Sequence, residues 1–192
     1  MIPDFEKILD IFIENLIPET KKSVNKGNKI FGAFIIKKND LSLHCMGTNN
    51  EISNPLFHGE ISTIFNFFNE YKKNPKDYYF VSSHEPCSLC LSAIAWSGFD
   101  NFLYFFPYKD TDNQFNIPHD LKILKELFNV KNGNYNSDNY YWKSHSILNE
   151  INKINNKNIN IMNQKIMIIK EKYQNLSKIY QKNKNNNKIP LN

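Results

Sequence analysis

Arginine is absent from this chain of 192 residues: all 24 basic side chains are Lys. Arg is the residue best suited to bidentate phosphate recognition, so its absence argues against a surface built to read a nucleic-acid backbone. Cysteine is scarce as well. Three cysteines, two of them in the Cys-x-x-Cys of Cys87 and Cys90, do not make a disulfide framework. That usage suits a reducing, cytoplasmic setting and points to metal binding or catalysis. No apolar run is long enough to span a bilayer, so no membrane partner is expected. Met1-Ile2-Pro3-Asp4 lacks a basic segment followed by an apolar stretch, and no secretory signal is expected. There is no internal repeat.

What is present is enough for a folded domain. Hydrophobic residues make up 41% and aromatics 14%, which supplies a core and excludes wholesale disorder. The length fits one domain of usual size plus an extension. The net charge of +5 is unevenly placed. Residues 1–149 carry 15 Lys against 17 acids, or −2, and residues 150–192 carry 9 Lys against 2 acids, or +7. The body is near neutral and the C-terminal part is basic. The heavy use of Asn, Ile and Lys fits the codon bias of an AT-rich genome.

Periodicity orders the elements. Phe5, Ile8, Phe12, Ile13 and Leu16 fall at helical spacing, which predicts an amphipathic helix over 4–17. Residues 30–38 and 41–48 are β-rich runs joined by Asn39-Asp40, which predicts a hairpin. A second helix runs from His58 to about Lys73, with Pro75 as its stop. A buried strand is expected at Tyr78–Ser82, a helix at Cys87–Trp96 capped by Gly98, a strand at Phe102–Phe106 and a helix at Pro118–Phe128. The order α-β-β-α-β-α-β-α predicts an α/β domain with a mixed sheet. Residues 129–141 read as a surface loop. Met162, Ile166, Ile169, Tyr173, Leu176 and Tyr180 form one apolar stripe on a basic helix. The expected organisation is a domain over 1–145, a basic amphipathic helical extension over 146–181 and a disordered, low-complexity tail over 182–192.

Two segments carry chemistry: His58-Gly59-Glu60 and Pro86-Cys87-Ser88-Leu89-Cys90. Cys87 and Cys90 are three apart at the start of a predicted helix, so both thiolates can face one ion. A helix N-terminus favours their negative charge. His58 opens the other helix and adds a nitrogen, and two sulfurs with one nitrogen suit Zn²⁺. Three protein ligands leave a position open, the mark of a catalytic zinc, where water ionises near neutral pH. Glu60 is not needed as a ligand. It is placed to take a proton from water and return protons to a substrate ring and a departing amine. A closed structural site would instead need a fourth ligand, with His84, His44 or Cys45 as candidates. Cys45 otherwise reads as a core cysteine, and His44, His119 and His145 as ordinary histidines.

At these residues the chain resembles the cytidine/deoxycytidylate deaminase superfamily, whose signature pairs H-x-E with P-C-x-x-C. The similarity extends over about Ile30 to Phe115. His58-Gly59-Glu60-Ile61-Ser62-Thr63 resembles fungal cytosine deaminase. The stretch from Ser83 to Trp96 is more similar to bacterial guanine deaminases and, less closely, to tRNA adenosine deaminases. The resemblance implies a three-layer α/β/α sandwich around a mixed sheet, with a C-terminal helical extension here, and a homodimer. It implies Zn²⁺ held by His58, Cys87 and Cys90, and Glu60 as proton shuttle. It implies substrate contacts from Asn49 (or Asn50), the Gly59 backbone and the Glu85 carbonyl. Trp96 is expected to pack the back of the zinc helix. Guanine deaminases carry an acid after a Gly-Phe near the position of Phe115; here Asn116 and Ile117 follow, with Asp110 and Asp112 nearby. The expected activity is hydrolytic deamination of a small nucleobase or nucleoside of the guanine/cytosine type. The rivals are an RNA-editing deaminase whose Lys-rich tail tracks phosphates and a non-catalytic zinc module that acts as a partner scaffold.

Overall fold

The computed structural model describes residues 3–69, 73–154 and 158–191. The last turn expected of the helix after His58, at 70–72, lies outside these residues, as do 155–157 and 192 in the C-terminal part.

The centre is a five-stranded sheet ordered β2-β1-β3-β4-β5, made of β1 (Gly32–Lys37), β2 (Leu43–Thr48), β3 (Tyr78–His84), β4 (Asn101–Phe106) and β5 (Lys143–Ser146). β1 is antiparallel to β2 and β3, whereas β3, β4 and β5 run parallel, so the sheet is mixed. Side chains alternate across it as the two-residue period requires. Phe34, Ile36, Val81, Leu103 and Phe105 enter one apolar cluster, and Ala33, Ile35, Phe80 and Phe102 enter the other. The inner strands are apolar on both faces and the edge strands β2 and β5 are partly exposed, β5 being polar throughout, the pattern of a sheet covered on both sides.

The first face is covered by N- and C-terminal helices. α1 (Phe5–Ile11), a π-helical turn (Phe12–Leu16) and α2 (Ile17–Asn25) form one continuous rod. It runs past the end expected at residue 17 because the wider π turn ends just before Pro18, which has no N–H to donate. α7 (Ile147–Lys153) and α8 (Ile159–Asn183) complete this layer. Met162, Ile169, Tyr173, Leu176 and Tyr180 of the α8 stripe are buried in the same cluster as Phe12 and Leu16. Lys165 pairs with Glu6 at 3.1 Å and Asp10 at 2.6 Å, which ties α8 to α1. The opposite face carries α3 (Gly59–Phe68) and α4 (Ser88–Trp96), through Phe67, Leu91 and Ile94. The fold is therefore an α/β/α sandwich of the cytidine deaminase type with a C-terminal helix.

Three elements are not evident from periodicity: α5 (Tyr108–Asn113), β5 and α7. β5 reads Lys-Ser-His-Ser, with no apolar side chain to mark it, and pairs as an outer strand with β4. α6 (His119–Phe128) lies where expected. Residues 182–191, low in complexity, are not a trailing segment in the structure. α8 extends to Asn183, Asn187 Nδ2 donates to the Gly27 carbonyl at 2.8 Å, and Ile189 is buried. Trp96 departs from expectation as well: it is 91% exposed. α4 is apolar on every side, and Leu91 and Ile94, not Trp96, fill the face toward the sheet. No described helix is long and apolar enough to cross a membrane.

Candidate metal centre and active site

α3 and α4 lie side by side on one face of the sheet, and their N-termini converge. His58 and Cys87 occupy equivalent positions, each the N-cap of its helix with extended backbone, ψ 161° and 170°. Neither side chain caps its own helix, so both are free to turn toward a common point. Cys90 follows in the first turn of α4.

The three ligand atoms meet there. Cys87 Sγ is 3.4 Å from His58 Nδ1, Cys90 Sγ is 3.7 Å from it, and the two sulfurs are 3.6 Å apart. Sulfur at about 2.3 Å and nitrogen at about 2.0–2.1 Å from a tetrahedral zinc stand roughly 3.5–3.8 Å from one another. The side chains thus fit a zinc ion without rearrangement. Among the described residues this is the one cluster of three or more such ligands. The candidate fourth ligands are elsewhere. His84 is 2% exposed and boxed in by Phe31, Phe106, Phe115 and Tyr173. His44 packs on Phe67 and Tyr78, and Cys45 approaches the Thr63 carbonyl. The arrangement has three ligands and an open side.

Electrostatics match an anionic ligand set. Two helix N-termini point at the cluster. The thiol of Cys90 and the His58 ring hold the Cys87 sulfur well below the usual thiol range. Burial disfavours a charged His58, but the Cys87 thiolate, Glu60 and Glu51 raise it to about 9.

Glu60, in the first turn of α3, is 4% exposed. Ser82 Oγ donates to its Oε1 at 2.8 Å and the Cys90 thiol faces its Oε2 at 3.3 Å. Burial, then the Cys87 charge, push the carboxyl pKa up, toward the range in which a group can both take and give a proton. Gly59 allows this placement. A Cβ there would stand 2.5 Å from Gly32 Cα, so only glycine lets the start of α3 press against β1.

Asn49 is 1% exposed, and both ends of its amide are engaged within the protein. Oδ1 accepts from Gly59 N at 2.5 Å, and Nδ2 donates to Glu51 Oε2 at 2.7 Å. Asn50 N donates to the Phe57 carbonyl at 2.8 Å. The Glu85 side chain points away from the metal ligands. It accepts from Tyr108 N at 3.0 Å and Tyr135 Oη at 2.9 Å, beside a separate polar cavity of about 570 Å³.

Above His58 and Cys87 is a pocket of about 340 Å³. Phe31, Leu56, Leu89, Ile117 and Ile123 supply apolar walls, and Ile189, Pro190 and Leu191 close one side. Its charged groups are Lys29, Glu51 and Asp120. Lys29 is spent on Glu51, at 2.7 Å. Asp120, in the first turn of α6, has no hydrogen-bond or ion-pair partner among the described residues, and burial followed by the Cys87 charge raises its pKa. Glu51, Lys29, Ser82, Asp120 and the terminal Ile189–Leu191 are not identified from the sequence. None carries a motif, and only the fold brings them to the site.

A family model described as the cytidine and deoxycytidylate deaminase zinc-binding region matches residues 7–106. The chain belongs to this family. The deaminase fold also appears in solved structures of low sequence identity. A guanine deaminase from Nitrosomonas europaea superposes with a TM-score of 0.52 at 14% identity, covering 82% of this chain and 80% of that one. A mutant protein in complex with 8-azaguanine gives 0.54 at 14% identity, covering 86% and 85%. A structure in complex with 2,6-diaminopurine gives 0.53 at 12%, covering 91% and 82%. No curated protein matches the chain.

Proposed function

We propose that this deaminase-family protein hydrolyses the exocyclic amino group of a free nucleobase or nucleoside, and that a purine of the guanine type fits best. The observation that carries this reading is the pocket over the three ligands. It is small and mostly apolar, and among the described residues Asp120 is its one charged group without a partner. A flat base is matched by apolar walls, and its N–H donors are matched by a carboxylate. A phosphate would face Asp120 and Glu51, with the Lys29 charge already neutralised, so a nucleotide or an RNA backbone is poorly served. Three solved structures that share the fold carry the description of a guanine deaminase or a purine-like ligand, which agrees with this reading.

In this reading His58, Cys87 and Cys90 hold zinc. Zinc held there would supply acidification of a water at its open position. Glu60 takes one proton from water and passes it to the ring nitrogen next to the amino-bearing carbon as the water oxygen bonds to that carbon; it then takes the proton left on that oxygen and delivers it to the departing amine. The C–N bond breaks, a carbonyl forms and ammonia leaves. Ser82 holds Oε1 of Glu60, and Oε2 stands 3.3 Å from the Cys90 sulfur of the ligand cluster. A buried carboxyl with a raised pKa suits both halves of this cycle.

Ammonia release from a panel of guanine, cytosine, adenine, cytidine, deoxycytidine monophosphate and adenosine-bearing anticodon stem-loops tests the proposal. Turnover confined to a free base or nucleoside is expected. Turnover confined to the monophosphate or the stem-loop would overturn it.

A further inference from the structure

His58 presents Nδ1 to the two sulfurs, which leaves Nε2 facing outward from the ligand cluster. The group it meets is Glu51, whose Oε1 is 3.8 Å away. Glu51 is 4% exposed, although it lies in a polar loop between β2 and α3. Burying a carboxylate is costly unless every lone pair is engaged. Here Lys29, itself 6% exposed, donates to Oε1 at 2.7 Å, and Asn49 Nδ2 donates to Oε2 at 2.7 Å. Asn49 in turn accepts the backbone N–H of Gly59, the residue after His58. One carboxylate therefore reaches the ligand from two sides: it stands at ion-pair distance, 3.8 Å, from the ring nitrogen, and through Asn49 it holds the peptide that follows.

A buried ion pair is weak support for stability, because apolar residues of similar size often do as well. A site-directed reason for it is stronger. When Nδ1 is a metal ligand, the imidazole proton must sit on Nε2, and a carboxylate opposite that nitrogen fixes both tautomer and ring plane.

We propose that Glu51 is the positioning residue for the metal ligand His58, with Lys29 and Asn49 holding its carboxylate in place. Lys29 supplies the counter-charge to the Glu51 carboxylate in an apolar wall, at 2.7 Å. Asn49 gives the Glu51 oxygen its direction and couples it to the start of α3. The inference rests on the zinc reading of the His58–Cys87–Cys90 cluster, and it concerns how tightly the ion is held rather than which base is deaminated.

Zinc affinity, measured by competition with a chromophoric chelator on the full chain, tests it. Glu51→Gln is expected to weaken zinc binding by about 10–100-fold, the usual scale for such a carboxylate. That variant leaves Lys29 buried without a counter-charge, so the pair Lys29→Met/Glu51→Gln is measured beside it. The pair leaves no lone buried charge, and the same loss of affinity is expected. A folded double variant that binds zinc within about twofold of the unaltered chain would overturn the proposal. Nitrogen-15 NMR of the zinc-loaded chains gives a second reading. The His58 Nε2 proton is expected to exchange slowly in the unaltered chain and faster in the folded double variant, and equal exchange in both refutes the role of Glu51. An unaltered chain that binds no zinc would bring down the metal reading itself, whereas equal binding by all variants would bring down only the role of Glu51.

Discussion

Glu60→Gln separates binding from chemistry, and the structure sets its size. The amide has the same shape, and its oxygen still accepts from Ser82, a contact of 2.8 Å in the native chain. The amino group replaces Oε2 opposite the Cys90 sulfur, 3.3 Å away, where it can donate to a thiolate. The native carboxyl is buried and its ionised form disfavoured, so a neutral amide adds no desolvation cost. Fold stability should therefore change by no more than about 1 kcal/mol. Zinc should stay, since Glu60 is outside the three-ligand cluster. The amide cannot move a proton, and turnover should fall by about 10²–10⁴, equivalent to about 3–5 kcal/mol of barrier. Steady-state ammonia release at saturating substrate, with zinc content and thermal midpoint measured on the same preparation, reads all three quantities. A folded, zinc-loaded variant with near-native turnover would refute the role given to Glu60. A change in KM alone, with turnover intact, would reduce it to substrate positioning.

The other expectations concern packing and pH. Gly59→Ala places a Cβ 2.5 Å from Gly32 Cα, and a loss of about 1–3 kcal/mol or more in chemical denaturation is expected; an unchanged midpoint would contradict the close approach of α3 and β1. Deleting residues 151–192 strips Met162, Ile169 and Leu176 from the core, each worth about 1.5–3 kcal/mol, and circular dichroism should show a chain that no longer folds cooperatively. A cooperatively folded truncation would show that α8 is dispensable. His84 is buried without charge, and burial lowers its pKa to about 3, below its ordinary 6.5. Between those values the unfolded chain binds the proton and the native chain does not. Stability is then fully present above about pH 6.5 and falls toward pH 3 by up to about 1.4 kcal/mol per unit, and His84→Gln should flatten that part of the urea-denaturation profile.

The legible parts of the molecule are those whose signal is local. His58-Gly59-Glu60 and Pro86–Cys90 each lie within a few residues, and the two helices that bear them are marked by apolar periodicity. The buried strands β1, β3 and β4 are marked by their apolar runs. β5 escaped because an outer strand of Lys, Ser and His has neither alternation nor a run. Trp96 was misjudged because an aromatic on an all-apolar helix does not declare its side, and only packing shows that Leu91 and Ile94 face inward. The Asn and Lys content of the C-terminal segment predicts disorder, yet Asn187 and Ile189 dock it, the latter beside His58 and Cys87. Asp110 and Asp112 lie nearest in sequence to the position of the acid in guanine deaminases, while the chain's path brings Asp120 to the pocket.

The division has a physical basis that bears on substrate. Metal ligands must sit a few ångströms apart, and two helix N-termini achieve this with short, repeatable sequence spacings. Recognition of a base has no such constraint. Its walls come from the loop before β1, the loop before α3, the start of α4, α6 and the chain end, five segments spread over more than 160 residues. Each can change independently while the ligand cluster stays fixed. A family that shares its metal chemistry can therefore diverge in substrate through residues that no short motif records. In the reading proposed above, the acidic groups that line this pocket are Asp120, without a partner among the described residues, and Glu51, which Lys29 neutralises. A base that offers N–H donors to Asp120 favours its ionised form against the burial that raises its pKa, and one that offers a lone pair there meets the neutral acid. Preference among bases should then follow the donor pattern of the edge that reaches Asp120, and Asp120→Asn, which adds a donor of its own, should narrow the gap between a donor-bearing and an acceptor-bearing base.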